Sequence, residues 1–223
     1  MNMYIKPLIQ KDWYLQRYLI LGYLIIGLLT LGIVGIPSEL WFAVGSIGLI
    51  TVLISLGIHL IMTSVIEERT LQTLPFIMSL PISVREYTTS KILANLLIYL
   101  VPWLGLLIAS YVLILTRETL PDGLIPFVTM ILLEILMGFC LILAVALMTE
   151  SQSWTIAAVV LGNLMLQGFM AFISNLPSIS STIRGSSIVW DSTSILIIAA
   201  ELMVMLVLLA VTFYVQFKKT DFI

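Results

Sequence analysis

A chain of 223 residues that is 61% hydrophobic and only 10% charged, with a mean hydropathy of +1.16, does not have the composition of a soluble globular domain. It is that of a membrane protein. The net charge of −2 and the scattering of lysine and arginine argue against a nucleic-acid-binding surface.

From Met3 to Gln16 the apolar residues Ile5, Leu8, Ile9 and Trp13 recur three to four apart, with Lys6, Lys11, Asp12 and Gln16 between them. This is the pattern of an amphipathic helix lying in a bilayer interface, with Trp13, Tyr14 and Tyr18 at headgroup level, or of a soluble helix packed on a partner. Apolar runs then cover Tyr18 to Ile36, Trp41 to Ile66, Ile92 to Leu115, Leu124 to Met148, Trp154 to Ser174 and Ser194 to Phe217. Each is long enough to cross a hydrocarbon core of about 30 Å as a helix. None alternates in polarity as a barrel strand would. The expected fold is therefore an all-α membrane protein with six transmembrane helices. The first run is too long for a signal-peptide core and is expected to remain in the mature protein.

Orientation follows from the cations. Lys6, Lys11, Arg17, Arg69, Arg85, Lys91, Lys218 and Lys219 fall on one side of this topology and only Arg117 and Arg184 on the other. Because cytoplasmic flanks carry the excess of lysine and arginine, both termini and the loop from 67 to 91 are expected in the cytoplasm of a multi-pass cell-membrane protein. Asn175 to Thr193, the longest stretch expected outside, carries Pro177, Ile179, Ile183 and Ile188 and is apolar enough to dip back beside the protein.

The cytoplasmic stretch from Ile66 to Lys91 reads IEERTLQTLPFIMSLPISVREYTTSK and holds six of the 22 charged side chains, Glu67, Glu68, Arg69, Arg85, Glu86 and Lys91. Glu67 and Glu68 suit the positive end of a helix, and Leu71, Leu74 and Ile77 or Met78 recur at helical spacing. Pro81 ends that helix, and Ser83 with Glu86 three residues on caps the next. On these features alone the stretch is either a short amphipathic helix with a task or a surface-lying connection.

The order Thr70-Leu71, Leu74, Ser79-Leu80-Pro81, Ser83, Arg85-Glu86 and Ser90-Lys91 resembles the permease subunits of type-2 ATP-binding-cassette (ABC) transporters. In these the second span ends in acidic residues followed by a phrase of this kind. Leu8-Ile9-Gln10-Lys11-Asp12-Trp13 is similar to the family's elbow helix, where a Lys-Asp pair precedes the first span. The resemblance implies that Glu67, Glu68, Arg69, Thr70, Leu71, Leu74, Ile77 and Met78 form a coupling helix seated in a groove of a separate ABC ATPase. It also implies two permeases, identical or related, with a pore between them, and export as the direction. ATP and Mg would be bound by the partner. This chain offers no phosphate loop of its own, because none of its 13 glycines is followed by lysine. Pro75 departs from the pattern, since proline kinks or shortens a helix.

Ionisable groups inside hydrocarbon cost several kcal/mol unless paired or wetted, so each is a candidate site. Three qualify: His59, Glu134 and Glu201, with Asn163 and Gln167 at depths matching the two glutamates. No lysine or arginine is expected in any span to neutralise them. Two readings stand for this layer, a cavity lining that faces cargo and interhelical hydrogen bonding. His59 also belongs to a stripe with Gly45, Gly48, Ser55 and Thr63 at helical spacings, which reads either as a lined path or as close helix packing.

No metal site is expected. The methionines of the spans are ordinary gap-fillers, and Cys140, the single cysteine, has no partner for a disulfide or a thiolate cluster. An intramembrane protease built on Glu67-Glu68 fares badly, because the arginine that chemistry expects four residues later is absent and only His59 is available. A non-transporting subunit of the same fold, for immunity or scaffolding, is the remaining alternative to an exporter of amphipathic or hydrophobic cargo such as a peptide, lipid or drug.

Overall fold

The computed structural model describes residues 5–70 and 84–218, and among these every regular element is helical. Helix α1 spans Ile5–Val34 and α2 spans Glu39–Ile61. A π-helical turn, Met62–Ile66, leads into the short α3, Glu67–Thr70. Then come α4, Val84–Thr116, α5, Leu124–Thr149, α6, Gln152–Asn175, the one-turn α7, Pro177–Ser180, and α8, Ser192–Lys218. Six of these helices are long and apolar enough to cross a membrane, in agreement with the six expected spans.

The helices begin where local chemistry favours it. Extended Ser38 precedes α2 and places Glu39 in its first turn, against the positive end of the helix dipole. Asp191 caps α8 by accepting from the Ser194 backbone N–H at 2.9 Å and from the Ser194 hydroxyl. Helix α5 ends at Glu150, which takes the left-handed conformation (φ 57°) usually left to glycine.

Two boundaries differ from expectation. The elbow is not separate from the first span, because α1 runs unbroken through residues 16–18. No glycine or proline interrupts Leu8 to Leu21, and Pro7 lies in the first turn, where a missing N–H costs nothing. At about 1.5 Å per residue the helix is roughly 45 Å long, well beyond the hydrocarbon thickness. The polar residues Lys6, Lys11, Asp12 and Gln16 fall in this excess. The third span likewise starts early, at Val84 rather than Ile92. The helical part of the expected coupling loop thus includes Glu86 and Lys91. Leu71, Leu74, Ile77 and Met78 of the expected coupling helix, with Pro75 and Pro81, lie outside the described residues.

Helix α5 is the axis of the molecule. In its most apolar window 83% of the residues are buried, against 17% in α6 and α8, so α5 is wrapped by protein while the other two present most of their surface outward. It packs on α6 and α8 along one side and on α2 and α4 along the other, and α1 lies outside α2 and α4. Leu53, Leu56, Leu60, Tyr99, Met130 and Leu143 are fully enclosed at these contacts, and the ring of Tyr99 stacks on Phe139 with centroids 4.0 Å apart. Gly45 lets α1 and α2 touch, since a Cβ there would stand 2.6 Å from the Val34 backbone nitrogen.

Candidate functional site

At the end of the bundle where α1 begins, four charged side chains from three helices form one cluster, with Asp12 and Lys91 buried and Glu68 and Lys11 partly exposed. The Lys91 ammonium, on α4, lies 2.9 Å from Asp12 Oδ2 of α1 and 2.7 Å from Glu68 Oε1 of α3. Lys11 reaches the same Glu68 oxygen at 2.9 Å and Asp12 Oδ1 at 3.4 Å. The Tyr87 hydroxyl donates to Glu68 Oε2 at 3.2 Å. Among the described residues two cations face two anions. The Lys91 side chain is only 2% exposed and that of Asp12 6%.

A buried ion pair is tolerated only when the remaining donors and acceptors are also engaged. Here they are. Asn95, one turn beyond Lys91, donates to the Lys91 carbonyl at 2.9 Å and accepts from Ser64 of the π turn at 2.7 Å. The π turn ends where α3 begins, next to the carboxylate that Lys91 grips. π-Helical turns are concentrated at functional sites in helices. Burial alone would push the Glu68 carboxyl up, but the ammoniums of Lys91 and Lys11 outweigh it and hold the group below the usual carboxylate range.

This geometry corrects two expectations. Lysine is not absent from the spans, since Lys91 is enclosed in the third long helix. Asp12 does not face water as an interfacial residue would, but is buried against α4. Charge places both residues in solvent when each helix is read alone, but each has its counter-ion on another helix. Of the expected coupling residues, Glu68 belongs to the cluster and Glu67 is exposed at the start of α3. Arg69 and Thr70 continue the backbone of that helix.

Midway along the bundle, Glu134 and Asn163 line one small cavity between α2, α4, α5 and α6, together with Gly57, Tyr99, Gly138 and Gly162. Its volume is about 30 Å³, which is space for about one water. Asn163 also returns a hydrogen bond to the Val159 carbonyl at 2.9 Å. Glu201 of α8 is buried to the same extent as Glu134, on a helix that packs against α5. Neither oxygen of Glu201 has a hydrogen-bond partner among the described residues.

The other polar candidates lie apart from this cavity. Gln167 is exposed on α6. His59 is exposed on α2, with Nδ1 3.4 Å from the Tyr23 hydroxyl of α1 and the two rings edge to face. Gly45 and Gly48 of the same stripe press against α1, and Thr63 accepts from Gln16 at 2.9 Å. That stripe is largely the seam between α1 and α2. Among the described residues no group of three metal-ligating side chains occurs.

No family model, curated protein or solved structure matches this chain.

Proposed function

We propose that this chain is the membrane permease subunit of an ATP-driven exporter of the ABC type, receiving force at the segment between its second and third spans from a separate cytoplasmic ABC ATPase. One observation supports this reading above the others. Lys11-Asp12 from one of the two stretches that resemble type-2 ABC permeases, and Glu68 and Lys91 from opposite ends of the other, meet in a single ion cluster.

The physical sense of that meeting is mechanical. Helix α3, which ends at residue 70, and the first turns of α4, which begins at residue 84, are both fastened to α1 through Lys91 and Asp12. A push on the segment is then delivered to three spans together instead of being absorbed in a slack loop. Both termini and the cluster face the cytoplasm in this reading, as the distribution of lysine and arginine requires. The ATP and Mg belong to the ATPase, and a second permease completes the pathway. The layer of Glu134, Asn163 and Glu201 supplies polar contacts midway through an otherwise apolar interior, which suits an amphipathic or hydrophobic cargo such as a peptide, lipid or drug.

The test is co-purification. An ATPase with Walker motifs encoded beside this chain is expected to copurify with it, and Glu67→Ala, at an exposed position, or Leu74→Asp is expected to release that ATPase while the permease remains folded in detergent. An intact complex in both variants would remove the docking site from this segment. If the complex forms but no cargo moves across proteoliposomes on addition of ATP, the chain is a non-transporting subunit.

A further inference from the structure

At the end of the bundle opposite the ion cluster, an apolar cavity of about 190 Å³ opens between α1, α2, α4 and α5. Its walls are aliphatic and aromatic, with Leu31, Leu49, Phe127 and Ile131 among them, and among the described residues Ser46 and Ser110 are the only polar ones that reach it. Ser110 spends its hydroxyl on the Leu106 carbonyl at 2.7 Å, so the interior offers almost nothing to water. A dry cavity of roughly 150 Å³ is already enough to hold a small hydrocarbon.

A wider cleft of about 600 Å³ adjoins the cavity, with Val34, Phe42, Leu120 and Leu124 in the walls of both. Arg184 stands in the wall of that cleft and of its neighbour, where Arg117 joins it. Glu39 lines the first cleft, and Glu118 and Asp122 line the second. Among the described residues none of these five charges forms an ion pair within 4 Å. The polar rim therefore presents separated positive and negative groups above a greasy hole.

We infer that this end of the bundle binds a zwitterionic glycerophospholipid, with part of one acyl chain in the apolar cavity, its phosphate at Arg184 and Arg117, and its ammonium towards the carboxylates. A simple anion matches the arginines but meets the three acidic groups, and a soluble phosphate leaves the cavity empty. The inference rests on the cavity and its rim and holds whether or not the chain works with an ATPase.

The experiment uses the purified full chain in detergent, titrated with phosphatidylethanolamine, phosphatidylglycerol or inorganic phosphate, with retained lipid read by native mass spectrometry and Tm measured in parallel. Phosphatidylethanolamine is expected to be retained and to raise Tm, ahead of phosphatidylglycerol, and inorganic phosphate is expected to do neither. The double variant Arg117→Gln/Arg184→Gln, altered only at exposed positions, is expected to weaken retention roughly tenfold. Ser46→Leu, which fills the cavity, is expected to weaken it independently. Equal retention in the wild type and both variants would mean ordinary surface lipid and overturn the inference. So would a preference for phosphatidylglycerol, or stabilisation by inorganic phosphate alone.

Discussion

Lys91 and Asp12, 79 residues apart in the chain, meet through a 2.9 Å hydrogen bond that both have left solvent to make. Removing one partner of such a pair leaves the other charged and buried. Lys91→Met is therefore expected to destabilise the fold by about 3–5 kcal/mol, read as a large fall in Tm in detergent. Pairing it with Asp12→Leu is expected to restore most of that loss, because apolar groups of similar volume replace a buried ion pair with little net cost. An additive double variant would show that the two residues do not depend on each other.

Stability at this end of the bundle should depend on pH through Glu68. Its folded-state pKa is depressed below the ordinary value of 4.5, so its contribution is complete above the unfolded-state pKa and is lost as pH falls through the folded one. Tm is expected to drop on acidification below about pH 4.5, and Glu68→Gln should flatten that part of the profile. An unchanged acid limb in the variant would assign it to other carboxylates.

Glu201 gives a prediction in the opposite direction. Its carboxyl is buried and both oxygens lack a hydrogen-bond partner among the described residues, an arrangement that costs about 1–3 kcal/mol. Glu201→Leu should therefore raise Tm. If the polar layer contacts cargo, the same variant and Glu134→Ala are expected to lower cargo-stimulated ATP hydrolysis in the assembled complex. Transport at the wild-type level in both would leave these carboxyls a purely structural role.

Gly123 tests how the far end is closed. Its N–H donates to the Gly185 carbonyl at 3.0 Å, and a Cβ at this position would stand 1.9 Å from the Thr182 backbone oxygen. Gly123→Ala must push the two turns apart and is expected to cost about 1–3 kcal/mol. Gly168→Ala is the matched control, because nothing lies within 4 Å of the position its Cβ would take. It should change stability by no more than about 0.5 kcal/mol.

The six spans were legible because hydropathy over about 20 residues is a property of the local sequence. Their ends were less so. The starts of α1 and α4 were read as wet because Lys11, Asp12 and Lys91 are charged, and charge marks a boundary only when its partner is water. Here the partners come from other helices, and nothing in the spacing of one helix announces them. The midplane carboxyls were legible for the converse reason, since Glu134 and Glu201 interrupt long apolar runs. That Glu134 and Asn163 would line one cavity while His59 turned to Tyr23 depends on helix rotation, which only the packing decides.

The π turn at Met62–Ile66 holds one residue more than an α-helical path would need. Each residue of an α-helix turns the chain by about 100°. Were that turn to tighten into α geometry, α3 would swivel by about this angle and carry the Glu68 carboxylate off Lys91. The surplus residue thus sets the rotation at which α3 meets α4, and the salt bridge is made at that rotation. Deleting one residue between Met62 and Ile66 would instead let the turn become α-helical with α3 kept close to its present rotation and Glu68 still facing Lys91.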